Sequence, residues 1–347
     1  MKAMSVIPGR LRSGLAAELP DPPRVEGSVL AEGLLVGICG TDGEILRGHG
    51  QPPDGNPRLV LGHESLGRVL AAPPDAPVQP GDLVVGVVRR PDPDPCPACD
   101  AGQWDFCVNG RYTERGIKGL DGYGATRWRV DPGFAIKVPD RLGDLGVLTE
   151  PASVVAKAWE QIEAISSRSP RPGQLALVLG AGPIGMLASL LAVQRGYQVH
   201  VFDQVMDGPK PGLVAALGAT YHHGPIGDID LRPDVVLECT GAGELVAEMA
   251  GRVAQAGVIC LIGISSEQRA WRVKLNQVSA SMVLHNSVIF GTVSAARRHY
   301  EQAVLALAQA DPAWLGGLIS RRVPLTTWQH VLTREPGDVK VIVDLTK

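Results

Sequence analysis

Gly180, Gly182 and Gly185 stand in the stretch LALVLGAGPIGMLASLLAVQR, between a run that reads as a buried strand and one that reads as a helix. That context constrains the chain more than any other feature it has. In a strand–turn–helix of this kind the first glycine makes a tight turn. The second lets the backbone approach a pyrophosphate, and the third lets the helix pack closely on the strand. The helix N-terminus at Pro183 and Ile184 would then face the anion. A glycine-rich α/β turn that binds nothing is the plainer alternative. The next strand-like run, VHVFD, ends at Asp203, 18 residues past Gly185. A carboxylate there can accept a hydrogen bond from a ribose 2′-hydroxyl and repels a 2′-phosphate. No Lys or Arg immediately follows it, so the pattern favours NAD over NADP.

Strand-like and helix-like runs alternate from Glu150 to about Phe290. Ala152–Ile165, Ile184–Arg195, Leu213–Leu217 and Leu245–Ala254 read as helices, and Ala176–Leu179, Val199–Phe202, Asp234–Leu237 and Val258–Ile262 as strands. The alternation predicts a doubly wound parallel sheet. Ligands of such sheets sit at the carboxyl ends of the strands, so Thr240, Gly241, Ile262 and Gly263 are expected to border the cofactor. Residues before Glu150 have another texture. Short apolar runs such as Val29–Ile38, Gly67–Ala71 and Asp82–Val88 are separated by Pro-Pro and Pro-Gly turns, which predicts an irregular β-rich domain. The segment PDPDPCP, 91–97, cannot form a regular helix and reads as an extended surface loop. Arg297–Ala310 reads as a helix and Lys340–Leu345 as a closing strand.

Composition excludes several classes. A formal charge of −3 argues against a nucleic-acid binder, and no polybasic run marks a membrane surface. Leu175–Gln194 is uncharged, but its glycines and proline make it a strand, turn and helix rather than a membrane span. Six cysteines in 347 residues are too few for a disulfide scaffold. Cys96, Cys99 and Cys107 are bunched, which points to metal. No targeting segment is legible at the N-terminus, and the expected compartment is the cytoplasm.

Two short segments, GICGTD (37–42) and GHES (62–65), bring a thiolate, an imidazole and carboxylates, and TEP (149–151) adds another carboxylate. A catalytic zinc takes three such ligands and keeps a fourth position open. Cys39, His63 and Glu150 could fill that role, with Glu64 as alternate. Taken alone, His63 fits a hydrogen-bonded structural histidine equally well, and Cys39 fits buried packing.

The order GICGTD, GHE, a cysteine-bearing loop, TEP and G-x-G-x-x-G resembles the zinc-dependent medium-chain alcohol dehydrogenase family over essentially the whole chain. VVRRP (87–91), RYTERGIKGLDGYG (111–124) and HNSVIFGTVSAARRHY (285–300) resemble its glucose dehydrogenase branch. The resemblance implies a GroES-like catalytic domain made of residues 1–151 and 291–347, with a Rossmann domain, 152–290, inserted. It implies a zinc- and nicotinamide-dependent oxidoreductase acting on a sugar or polyol. Cys39, His63, Glu64 and Glu150 would be ligands of the catalytic zinc, and Thr41 would take the substrate proton. Asp42 would orient His63, Glu114, Glu150 and Ser294 would face the substrate, and Thr292 would border the cofactor. Cys96, Cys99 and Cys107 would hold a second, structural zinc. Relatives are often dimers or tetramers, and Val258–Ile262 or Trp271–Val288 would supply edge pairing.

Three departures from the branch stand out. Pro93 replaces the first of four lobe cysteines, so either Asp92 or Asp94 is a substitute oxygen ligand or the lobe is metal-free. Val154 replaces an Asp, and Ser294 an Asn. Both of the latter changes remove hydrogen-bond capacity near the expected substrate, so a modified sugar or cyclitol is an alternative to glucose. A non-catalytic, nucleotide-binding redox sensor is the alternative of another class; such relatives lose metal ligands that this chain keeps.

Overall fold

The computed structural model describes residues 1–170, 173–264 and 273–347. They divide into two compact units, Met1–Ser153 with Ser294–Lys347, and Val154–Val293.

The first unit is built around the strand Val29–Ile38. Its ten residues, VLAEGLLVGI, place buried side chains on both sides of the pleat, as expected for a strand covered on two faces. Antiparallel neighbours flank it. Glu64–Ala71 lies along one side, and Arg127–Val130 and Lys340–Asp344 share the other. The sheet continues through Leu83–Gly86 to Ala135–Val138 at one end and Ile319–Pro324 at the other. Gly37 therefore has Glu64 opposite it in one neighbour and Ile342 opposite it in the other. A buried cluster of Met4, Val36, Leu59, Leu61, Trp328 and Val343 packs the tail of the chain onto its first third. At about 25 cal/mol per Å2 of apolar area, such burial fixes Lys340–Asp344 beside residues three hundred positions earlier.

The second unit is a six-stranded, wholly parallel sheet in the order Thr220–His222, Gln198–Phe202, Leu175–Leu179, Val235–Glu238, Val258–Leu261, Val288–Gly291. The strand order reverses beside Leu175–Leu179, which is where doubly wound sheets receive a ligand. The helix Pro183–Gln194 is buried over most of its surface, in keeping with an apolar run that has no polar face.

Several expectations shift. The helix begun at Ala152 starts at Thr149 and runs to Ser166. The helices expected at Leu213–Leu217 and Leu245–Ala254 occupy Pro209–Ala216 and Gly243–Ala250, because proline at the first position starts the former and Gly251 ends the latter. Val258–Leu261 is an interior strand with neighbours on both sides, so it offers no free edge. Trp271, the start of the other proposed edge segment, lies outside the described residues. The 91–97 segment is not wholly at the surface: Asp92 and Cys96 are buried, and Pro97 opens a short helix, Pro97–Asp100. Among the described residues no helix is long and apolar enough to cross a membrane.

Candidate metal centre and nucleotide loop

Cys39 directly follows the central strand and caps the short helix Gly40–Glu44. Its Sγ accepts from Thr41 N at 3.3 Å, and Asp42 Oδ2 accepts from Cys39 N at 2.9 Å. This capping turn fixes three of the expected residues locally. His63, in the turn before Glu64–Ala71, brings its Nε2 to 3.0 Å from Cys39 Sγ. Its other nitrogen, Nδ1, lies 3.8 Å from Asp42 Oδ1, and neither of these two buried atoms has a hydrogen-bond partner. Donor atoms of Cys39, Asp42 and His63 all lie within 4.8 Å of one another. Unpaired buried polar groups are costly. A thiolate, an imidazole and a carboxylate at this spacing are a donor set that suits zinc.

The electrostatics mark a buried cluster of groups of one sign around His63. Burial pushes the Asp42 carboxyl above its ordinary value. Burial also disfavours the charged form of His63, but the Cys39 and Asp42 charges outweigh it and hold the imidazole well above its ordinary value. Burial pushes Glu150 up to about 7, with His63 opposing and Glu64 adding to the rise.

Glu64 and Glu150 do not belong to the group that converges within 4.8 Å. Glu64 turns instead to Lys340, with which it forms a buried ion pair. Glu150 is at the first turn of the Thr149–Ser166 helix. Glu114 is held by Arg89, whose Nε lies 2.9 Å from Glu114 Oε1 and whose guanidinium covers the Tyr112 ring. Ser294 adopts a left-handed φ of 61°. Nothing in the residue pattern pointed to Lys340 or Arg89. A lysine opening KVIVD reads as a solvated strand end, and only its tertiary placement reveals its partner.

Cys96, Cys99 and Cys107 form the second converging group. Cys96 and Cys99 sulfurs are 3.6 Å apart. Backbone N–H groups of Cys99 and Val108 draw the Cys96 thiol down to about 6. Asp92 is buried close by, but Asp94 N and Arg111 occupy its two oxygens.

In the second unit Gly180 has φ +99°, which an L side chain rarely adopts. A Cβ at Gly185 would collide with the Gly180 carbonyl, whereas one at Gly182 would meet nothing within 4 Å. The three glycines are thus required for three reasons: turn, approach and packing. Pro183 and Ile184 open the helix. Asp203 Oδ2 accepts from Ala181 N at 2.7 Å, tying the end of the second strand to the glycine turn. Its Oδ1 accepts from Val205 N at 2.9 Å, and Lys210 Nζ lies 3.0 Å from Oδ2. These contacts hold the carboxyl below its ordinary value against the opposing effect of burial. The cation absent from the residues directly after Asp203 is supplied by Lys210, one helical start further on. Thr240 and Gly241 donate backbone N–H groups to the buried Glu238 carboxylate at 2.6 and 2.9 Å. Ile262 and Gly263 donate to the Glu238 carbonyl at 2.8 and 3.0 Å. Thr292 N donates to Leu261 O at 3.0 Å, and its hydroxyl is buried without a partner.

Known proteins resemble the chain along its length. Residues 25–140 match the alcohol dehydrogenase GroES-like domain, and residues 143–345 match the glucose dehydrogenase C-terminus. Glucose 1-dehydrogenase of Methanocella arvoryzae is 38% identical over 357 aligned positions, covering 99% of each chain. The Thermoproteus tenax glucose 1-dehydrogenase is also 38% identical, again over 99% of each. Haloferax mediterranei glucose dehydrogenase, solved with NADP, Zn and gluconolactone, superimposes with a TM-score of 0.91 at 31% identity and covers 99% of both chains.

Proposed function

Because the chain belongs to the zinc-dependent medium-chain alcohol dehydrogenase family, in its glucose dehydrogenase branch, we propose that it oxidises the C1 hydroxyl of a cyclic aldose to a lactone. The hydride goes to a nicotinamide cofactor and the proton to solvent. One observation carries this reading: His63 Nε2 lies 3.0 Å from Cys39 Sγ inside the converging group of Cys39, Asp42 and His63.

When bound, zinc supplies Lewis acidity that lowers the pKa of an oxygen ligand, and NAD(P) supplies the hydride acceptor. The chain's own residues do the rest. Cys39 and His63 hold the metal, with Glu150 and Glu64 as further ligands. Asp42 sits on the far side of the His63 ring and fixes which nitrogen faces the metal, a role that supporting carboxylates commonly play. Thr41, next to the Cys39 turn, receives the substrate proton. Arg89 steadies Glu114 so that its free lone pairs face sugar hydroxyls, and Ser294 borders the same substrate. Gly180, Gly182 and Gly185, with Pro183 and Ile184, seat the pyrophosphate, and Thr240, Gly241, Ile262, Gly263 and Thr292 line the rest of the cofactor.

The expectation of NAD over NADP rested on an uncompensated Asp203. With Lys210 at 3.0 Å the like-charge argument loses its force, and both cofactors are proposed as substrates. Cys96, Cys99 and Cys107 are proposed to hold a second zinc. A fourth ligand from Asp92 would require loss of its Arg111 contact. The helix Leu275–His285 exposes Val283 and Leu284 beside the last strand of the sheet, Val288–Gly291. This face, rather than Val258–Leu261, is the proposed contact of a homodimer or tetramer.

A dehydrogenase of a modified sugar or cyclitol is the second reading, favoured by Val154 and Ser294, which bring fewer polar partners than the branch's Asp and Asn. A screen of aldoses, polyols and aminosugars with NAD and NADP in parallel tests both readings. Aldose-dependent reduction with lactone formation supports the first. Turnover confined to cyclitols or aminosugars supports the second, and reduction with no member of the panel contradicts both.

A further inference from the structure

Glu238 closes the strand Val235–Glu238, is 1% exposed, and stands opposite Leu179, the last residue before the glycine turn. Three donors meet its carboxylate. Thr240 N donates to Oε1 at 2.6 Å, the Thr240 hydroxyl donates to the same oxygen, and Gly241 N lies 2.9 and 3.1 Å from the two oxygens. The main-chain carbonyl of Glu238 accepts from Ile262 N and Gly263 N. A Cβ on Gly180 would lie 2.7 Å from Thr240 Cγ2, and one on Gly263 would collide with Gly241 N and lie 2.9 Å from Glu238 Oε2. Three turns at the carboxyl end of the sheet therefore pack around one carboxylate. What it lacks is a cation. Glu64, Asp92 and Asp344 are buried too, and each has one: Lys340, Arg111 and Arg322. Among the described residues no Lys, Arg or His pairs with Glu238, and a buried charge without an opposite charge is costly.

A dinucleotide brings an opposite charge of its own. Asp203, directly after the strand on one side of Leu175–Leu179, marks the place of the adenosine ribose. The nicotinamide half then extends to the other side, over the ends of Val235–Glu238 and Val258–Leu261. The oxidised nicotinamide ring is a cation and the reduced ring is neutral. We propose that Glu238 is a positioning residue for that half of the cofactor: its carboxylate sets the Thr240–Gly241 turn, and its uncompensated charge makes the site favour the oxidised ring over the reduced one. The charge already acts on its surroundings. Burial first, and the Glu238 charge next, hold the neighbouring Cys239 thiol well above its ordinary value. A site biased in this way takes up the hydride acceptor readily and lets the reduced product go. This inference rests on the reading of the Gly180 turn as the dinucleotide site.

The test is equilibrium binding, read by fluorescence and calorimetry on zinc-loaded protein with NAD+, NADH, NADP+ and NADPH. Glu238→Gln keeps the size of the side chain and removes its charge. It should raise the Kd of the oxidised cofactor about tenfold, and that of the reduced cofactor by no more than about threefold. Glu238→Met also removes the charge at similar volume. It should shift the ratio of the two constants the same way, even if the Gln variant folds poorly. Thr240→Val keeps the charge and loses one link to it. Both constants should then rise by a similar factor, with their ratio at the wild-type value. Equal losses of both forms in the Glu238 variants, or no loss of either, would overturn the proposal and leave a carboxylate that only shapes its turn. Wild-type protein that binds neither NADH nor NADPH would instead sink the dinucleotide reading beneath it.

Discussion

The nucleotide loop and the metal centre solve the same problem, fixing a charged ligand, by opposite means. The loop is one contiguous turn whose needs are met by backbone: a left-handed Gly180, an open Gly182 and a Gly185 pressed against Gly180. The candidate metal centre draws side chains from the turn after a strand and from a second turn 24 residues on. Glu64, the residue after His63, pairs with a lysine from the last strand of the chain. A loop of that kind tolerates no added atom at its packed positions. A centre of the second kind depends on distant strands keeping register.

The largest effect should come from Gly185→Ala. Its Cβ has no space beside the Gly180 carbonyl, and a backbone cannot yield as a flexible side chain can. We expect a loss of about 3 kcal/mol or more in denaturant unfolding, with cofactor binding abolished. Gly182→Ala sharpens the point: its Cβ meets nothing, so Tm should hardly move while NAD(P) affinity falls. Equal Tm losses in the two variants would break the contrast between packing and approach.

Thr41→Val comes next. A lost proton acceptor typically costs at least about a hundredfold, so kcat should fall by that order while zinc content stays at the wild-type level. Unchanged turnover at neutral pH would remove Thr41 from the relay. Asp42→Asn keeps the Cys39 N contact available but weakens the support of His63. Metal affinity should drop about 10–100-fold by chelator competition, and an unchanged affinity would make Asp42 only a helix cap.

Asp203→Asn should have the smallest effect, about 1–2 kcal/mol near neutral pH. Contacts with Val205, Ala181 and Lys210 depress the folded pKa of Asp203. Its stabilising contribution is therefore present above the unfolded value of about 3.9 and is lost as pH falls through the folded value. Urea unfolding of wild type and variant should converge in that acidic window. A difference that persists below it would exclude the ionised carboxylate as the cause.

The two sites were unequally legible for a physical reason. Backbone requirements are written into consecutive residues, so the glycines and Asp203 could be read directly from the chain. Strands bounded by clear turns, such as Leu175–Leu179 and Gln198–Phe202, were visible for the same reason. Val288–Gly291 and Thr220–His222 were not, because runs of four and three residues are too short to show a period. Ile319–Pro324, at the end of its sheet, alternates half-buried and exposed residues and has no apolar run to mark it. Cys39 and His63 could be named as ligands only through family resemblance. The pairing of Lys340 with Glu64, of Lys210 with Asp203 and of Arg89 with Glu114 depends on tertiary placement that no local spacing encodes.

The central claim is that a sulfur from Cys39 and a nitrogen from His63 share one metal. Zinc X-ray absorption on protein carrying Cys96→Ser, Cys99→Ser and Cys107→Ser tests it most directly, since the other thiol cluster is then removed. We predict one bound zinc per chain with a single sulfur at about 2.3 Å and an imidazole nitrogen at about 2.0–2.1 Å. A zinc shell without sulfur, or protein that retains no zinc at all, would contradict the account.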